Sequence, residues 1–300
     1  MNASHRGQVI KAYNHWFDVW LEDARQVWAC QPRGRLRLEG RGILVGDRVR
    51  VLPRADGEGW IESVEPRRTE LTRPPVANVD RVVAVMAWRR PDFVPELLDR
   101  ILVQAEHAAL EILVVFNKID LVEDEEDRAR LHAVRERYRR AGYPVFLTDA
   151  LHGEGVDRLR PHLERGVTVL AGPSGAGKSK LLSAIEPGLR LRSEAVSEKT
   201  GRGRHTTRHP ELLRLGEGWV ADTPGFSRLD LSGLASDGLG DLFPEFAPHT
   251  AACRFNDCKH RAEPGCAVRA AVEAGQVDAE RYARYLQFLA EVEALEEARY

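Results

Sequence analysis

Gly172-Pro173-Ser174-Gly175-Ala176-Gly177-Lys178-Ser179 fits the pattern G-x-x-x-x-G-K-[ST] at every defined position. It follows an apolar run, Val167–Ala171, and opens a helical one, Lys178–Ile185. A strand that passes through glycines into a helix aims backbone N–H groups at the helix's positive end, where they close on a phosphate chain. There Lys178 reaches the β- and γ-phosphates and the Ser179 hydroxyl ligates Mg²⁺. The texture around this loop, from Val82 to about Leu229, is α/β with a mostly parallel sheet. Strands are expected at Val82–Trp88, Ile112–Phe116, Val145–Thr148, Val167–Ala171, Leu212–Leu215 and Trp219–Ala221. Helices are expected at Pro95–Glu106 and at Glu123–Arg140, the second with Leu131, Val134 and Tyr138 on one face and stopped by Gly142.

The loop does not name its nucleotide, and it also resembles guanylate-kinase loops. Asn117-Lys118-Ile119-Asp120 narrows the choice, because it stands at the C-terminal end of an apolar strand, where open α/β sheets bind ligands. The Asp120 carboxylate can accept from guanine N1–H and the exocyclic amine, an edge whose polarity adenine reverses. Asn117 and Lys118 can brace the loop and cover the base. Asp222-Thr223-Pro224-Gly225 follows the last strand; Asp222 is placed to hold Mg²⁺ through water and the Gly225 N–H to sense a γ-phosphate. The polar, glycine-rich segment from Lys199 to Arg208 reads as an order–disorder switch, with Thr206 or Thr207 as second Mg²⁺ hydroxyl. An ordinary small GTPase runs phosphate loop, switch threonine, Asp-x-x-Gly, Asn-Lys-x-Asp. Here Asn117–Asp120 comes first, a circular permutation that closely spaced domain termini tolerate.

Working outward, Cys253-x₄-Cys258-x-His260-x₅-Cys266 supplies three thiolates and an imidazole, a closed tetrahedral donor set for one structural Zn²⁺. An amphipathic helix follows, with Tyr282, Tyr285, Leu286, Leu289 and Val292 as its apolar stripe. On the N-terminal side, short alternating runs at Val9–Tyr13, Trp16–Leu21, Gln26–Gln31, Leu36–Leu38, Arg48–Leu52 and Trp60–Val64 suggest a small antiparallel barrel. Cys30 in one of them reads as a buried core thiol. Seven arginines between Arg33 and Arg54 face only Glu39 and Asp47. Alternation puts Arg35 and Arg37 on one strand face and Arg48 and Arg50 on another, a surface able to follow a phosphate backbone. The whole chain of 300 residues carries a formal charge of −2, so no partner is read from net charge. No apolar run approaches the roughly 20 residues of a membrane span, and the N-terminus lacks a signal-peptide core. A cytoplasmic protein is expected.

Together the barrel with Val45-Gly46-Asp47, the linker Arg73–Asp80, the permuted motifs, the Gly201–Thr207 segment and the zinc spacing resemble the RsgA (YjeQ/YloQ) family of bacterial GTPases. That resemblance spans about residues 8 to 290. It implies an oligonucleotide-binding-fold (OB-fold) β-barrel over 1–72, a circularly permuted P-loop GTPase domain over 73–236 and a helical zinc-binding domain over 237–300. It implies GTP/GDP, Mg²⁺ and Zn²⁺ as ligands. As partners it implies the small (30S) ribosomal subunit and its 16S rRNA, with hydrolysis stimulated by the subunit and driving release late in maturation. One GTPase core without an obvious apolar seam suggests a monomer. The family's Ser-Ala or Thr-Ala loop beside the base falls at Thr148-Asp149-Ala150, with Asp149 the departure. Phe226 stands where many GTPases carry a water-orienting glutamine, which leaves His205 as the nearest polar catalytic candidate beside Lys178. Phe226 also favours the rival reading, a zinc-containing rRNA-binding scaffold whose nucleotide site is regulatory with negligible hydrolysis. A nucleotide kinase is opposed by Asn117–Asp120 and Asp222–Gly225.

Overall fold

The alternating N-terminal runs close into a ring. In a computed structural model, which describes residues 4–13, 15–34, 42–55, 57–72, 75–189, 210–222 and 231–298, they form β1 (His5–Tyr13), β2 (Trp16–Leu21), β3 (Gln26–Pro32), β4 (Arg48–Ala55) and β5 (Glu58–Val64). Strand β1 pairs antiparallel with both β2 and β4, β2 with β3, and β4 with β5. A parallel β3–β5 pairing completes the circuit. The inward side chains Val9, Val19, Leu21, Cys30, Val49, Val51 and Ile61 make the core of this OB-like barrel. Cys30 is fully buried, and that burial pushes its thiol up to about 12. The expected strand Leu36–Leu38, with Arg35 and Arg37, lies outside the described residues.

The rest of the chain alternates strands and helices: β6 (Glu70–Thr72), β7 (Pro75–Ala77), β8 (Arg81–Ala87), α1 (Pro95–His107), β9 (Glu111–Asn117), α2 (Glu125–Arg140), β10 (Val145–Thr148), α3 (Val156–Leu163), β11 (Val167–Ala171), α4 (Lys178–Ile185), β12 (Glu211–Leu215) and β13 (Gly218–Asp222). Short α5 (Ala247–Thr250) and α6 (Ala267–Glu273) precede the long α7 (Ala279–Glu297). The described residues fall into two compact units, each discontinuous in sequence.

One unit takes Met1–Val82, Val156–Leu170 and Lys178–Ser227. Besides the barrel it holds β11 parallel to β13, and the β12–β13 hairpin turning at Gly216-Glu217. The outer strand β12 also pairs with β1 at Lys11 and Glu211. Arg214 of the hairpin lies 4.3 Å over the ring of Trp20, whose indole meets Trp219 edge-on. The linker is bound into this unit by polar groups. Asp47, completely buried, receives Arg67 Nε and Nη2 at 2.7 and 2.8 Å. Asn78 Nδ2 donates to the Gly46 carbonyl at 3.0 Å, and the Val167 N–H donates to Asp80 at 2.7 Å.

The other unit takes Val83–Gly155, Ala171–Gly177 and Arg228–Tyr300. Its strands run in the order β10-β9-β8, with β10 parallel to β9. Helix α2 begins as its sequence dictates: the Asp124 side chain caps the Asp127 N–H at 2.8 Å, acids fill the first turn and arginines the last. Leu131, Val134 and Tyr138 are its buried face. Helix α7 buries Tyr285, Leu289 and Val292 as its stripe anticipates, and adds Phe288 and Arg281. Arg281, 1% exposed, ion-pairs with Asp99 of α1 at 2.6 Å and with Glu245, under the rings of Tyr138, Tyr143 and Phe243.

Candidate functional site

Asn117, the last residue of β9, is 1% exposed and uses its whole amide. Its Nδ2 donates to the Ala176 carbonyl of the phosphate loop at 3.0 Å. Its Oδ1 accepts from Thr148 Oγ1 at 3.0 Å and from the Ala150 N–H at 3.2 Å. One side chain thus ties three segments that are far apart in sequence. Two glycines of the loop allow close approaches. Gly177 (φ +91°) lies so near that a Cβ would stand 2.4 Å from Asn117 Nδ2, and one on Gly172 (φ +137°) would stand 2.0 Å from the Val85 carbonyl oxygen. Pro173, Ser174 and Gly175 form the crest of the loop, Ser174 and Gly175 being exposed.

Lys118 follows in the left-handed region at φ 64°, and its Nζ donates to the Arg90 carbonyl. Ile119 and Asp120 begin a 3-10 turn, which leaves the Asp120 carboxylate exposed. The chain enters α4 at Lys178 and Ser179, where burial pushes the Lys178 ammonium below its usual value. Such a desolvated cation gains from an anion brought to it. Asp222 ends β13, as expected for an Asp-x-x-Gly segment, with its side chain outside the described residues. His205, Thr206, Thr207, Gly225 and Phe226 also lie outside them.

Asp149 and His152 were missed as a pair in the sequence. Burial would raise the Asp149 carboxyl, but hydrogen bonds from His152 and from the Leu151 and His152 N–H groups outweigh it and hold it low. The signal available in sequence was their spacing of three, ordinary for an Asx turn.

Cys253, Cys258, His260 and Cys266 converge as their spacing requires, with their ligand atoms within 4.8 Å of one another. His260 Nδ1 lies 3.7 Å from Cys253 Sγ and 3.5 Å from Cys266 Sγ. Zn–S and Zn–N bonds of ordinary length give a tetrahedral S···N edge of about 3.6 Å, so the donor set fits zinc. The loop is held from outside: Tyr282 and Tyr285 hydroxyls donate to the His260 and Lys259 carbonyls at 2.6 and 2.5 Å, and Glu263 accepts three backbone N–H groups. Among the described residues, no helix is long and apolar enough to cross a membrane.

A Gly-x-x-x-x-Gly-Lys-Ser loop that follows the Asn-Lys-x-Asp segment in the chain, rather than preceding it, is the order of a circularly permuted P-loop GTPase. Residues 64–232 match the family model described as RsgA GTPase, and residues 6–61 match that of the RsgA N-terminal domain. The small ribosomal subunit biogenesis GTPase RsgA of Moorella thermoacetica is 48% identical over 291 residues, covering 97% of this chain and 98% of that protein. The protein of the same name from Bacillus subtilis is 41% identical, covering 95% and 97%. Among solved structures, YloQ, titled a circularly permuted GTPase, superposes with a TM-score of 0.86 at 36% identity, over 97% of this chain and 96% of that one. YjeQ from Thermotoga maritima gives 0.87 at 37% identity, over 97% and 99%. The chain belongs to the RsgA GTPase family and is a GTP hydrolase.

Proposed function

We propose that this GTPase binds the small ribosomal subunit and assists its late maturation, with hydrolysis stimulated by the subunit and driving release. The observation that carries the nucleotide reading is the Asn117 amide, which fastens the base-reading segment to the phosphate loop. Asp120 then reads the guanine edge, Asn117, Lys118 and Ile119 shape its seat, and the backbone from Gly172 to Gly177 wraps the phosphates. Lys178 offsets the charge that builds between the β- and γ-phosphates. Ser179, Thr206 or Thr207, and Asp222 through water would hold Mg²⁺, which supplies charge neutralisation. The Gly225 N–H senses the γ-phosphate, and His205 is the candidate for orienting the attacking water. The relatives' printed name, and an arginine-rich barrel with Arg48 and Arg50 on β4, support the 16S rRNA as the surface bound. A cytoplasmic monomer with domains over 1–72, 73–236 and 237–300 completes the reading.

Phosphate release measured with and without purified small subunits tests it. The isolated protein is expected to turn over slowly, on the order of 10⁻⁴ s⁻¹, for want of a glutamine at Phe226. Addition of subunits raises the rate by orders of magnitude; an unchanged rate would favour the scaffold reading instead. The metal reading has its own check. Elemental analysis of protein purified without chelators is expected to return one zinc per chain, and zinc-free protein of native fold refutes it.

A further inference from the structure

Asp149 is 3% exposed, whereas the side chain of His152, which it holds through Nδ1, is 66% exposed. A carboxylate oxygen of Asp120, one of Asp149 and a ring nitrogen of His152 lie within 4.8 Å of one another. The imidazole is therefore hydrogen-bonded to a buried carboxylate and within Coulombic reach of the exposed one proposed to meet the base. A neutral imidazole carries a single N–H. Given to Asp149 from Nδ1, it leaves the ring with no net charge to act on Asp120. Only the imidazolium keeps that bond and also attracts the Asp120 carboxylate through space.

We propose that protonated His152, anchored by Asp149, positions the Asp120 carboxylate for the guanine edge and makes guanine-nucleotide affinity depend on pH. The inference rests on the reading of Asp120 given above. His152 is a positioning residue, acting through Asp120. Acting by charge and not by a hydrogen bond, His152 leaves the lone pairs of both Asp120 oxygens open to guanine N1–H and amine. The charged groups acting on the ring are Asp149, through its hydrogen bond first, and Asp120; both favour the imidazolium and raise its pKa. Lys118 is turned to the Arg90 carbonyl, and Glu154 meets Asp149 through its backbone. The effect is thus present below this raised pKa and is lost as pH climbs through it.

Fluorescent GDP titrated onto the full chain between about pH 6 and about pH 8.5 tests this. The parent is expected to weaken by about threefold across the window, the size of an exposed ionic contact. His152→Ala binds at the weaker level throughout, and His152→Lys, cationic at every pH, binds at the tighter level throughout. A parent profile without slope, the same slope in His152→Ala, or a His152→Lys protein as weak as His152→Ala overturns the proposal. Asp120→Asn separates the two layers: if guanine selectivity survives it, the underlying reading of Asp120 has failed. If selectivity moves towards xanthine while His152→Ala keeps the parent slope, only the role of His152 has failed.

Discussion

Asn117→Ala is expected to weaken guanine-nucleotide binding on the order of a hundredfold, with the fold retained. The residue is not assigned to the phosphates, so the loss comes from the seat it builds. Its amide joins the Ala176 carbonyl, the Thr148 hydroxyl and the Ala150 N–H. Ala176 and Thr148 are both completely buried, so alanine leaves a carbonyl and a hydroxyl without the partner they have in place of water. Each such orphan costs about 1–3 kcal/mol, and together they release the phosphate loop from the Asn117–Asp120 segment. Titration with a fluorescent guanine nucleotide reads the effect, and an affinity within a few-fold of the parent would disprove it. Asp120→Asn provides the contrast: on the proposed reading it is expected to alter which base is preferred and not the loop.

Asp99→Ala is expected to cost about 3–5 kcal/mol of stability, among the largest losses any single change here can produce. Asp99 is fully buried and receives Arg281 Nη1 at 2.6 Å and Arg284 Nε. Removing it leaves Arg281, 1% exposed, with only Glu245 to balance it in an aromatic surround. Asp99→Asn keeps the shape and one acceptor, so it should fall between parent and alanine. Urea denaturation measures the series; an alanine variant within about 1 kcal/mol of the parent would show the cluster to be dispensable.

Phosphate loop, Asn-Lys-x-Asp and zinc spacing were legible because their chemistry fixes residue type and interval over a few positions. The barrel strands were legible because one face of each is buried, which writes a period of two into the sequence. Arg281 shows where that reading stops. In α7 it looks like part of a solvated face, and only its partners on α1 and at Glu245, far away in the chain, make it core. Asp47 with Arg67 and Asn78 with Gly46 escaped for the same reason: a polar residue's burial depends on a partner that local pattern does not contain. Phe288 is apolar and buried yet lies beside the five-residue stripe, because the buried face of α7 is wider than that stripe.

The permuted order has a consequence for birth on the ribosome, where the chain emerges from its N-terminus. All five barrel strands have appeared once Val64 is made, and that ring can close early. The unit that holds Asn117–Asp120 cannot be completed in the same way. Asp99 meets Arg281 only 182 residues later, and until then α1 carries a carboxylate with no cation to justify its burial. A nascent chain stalled before α7 therefore leaves Asp99 without Arg281 and Arg284, and leaves open the surface that α7 covers.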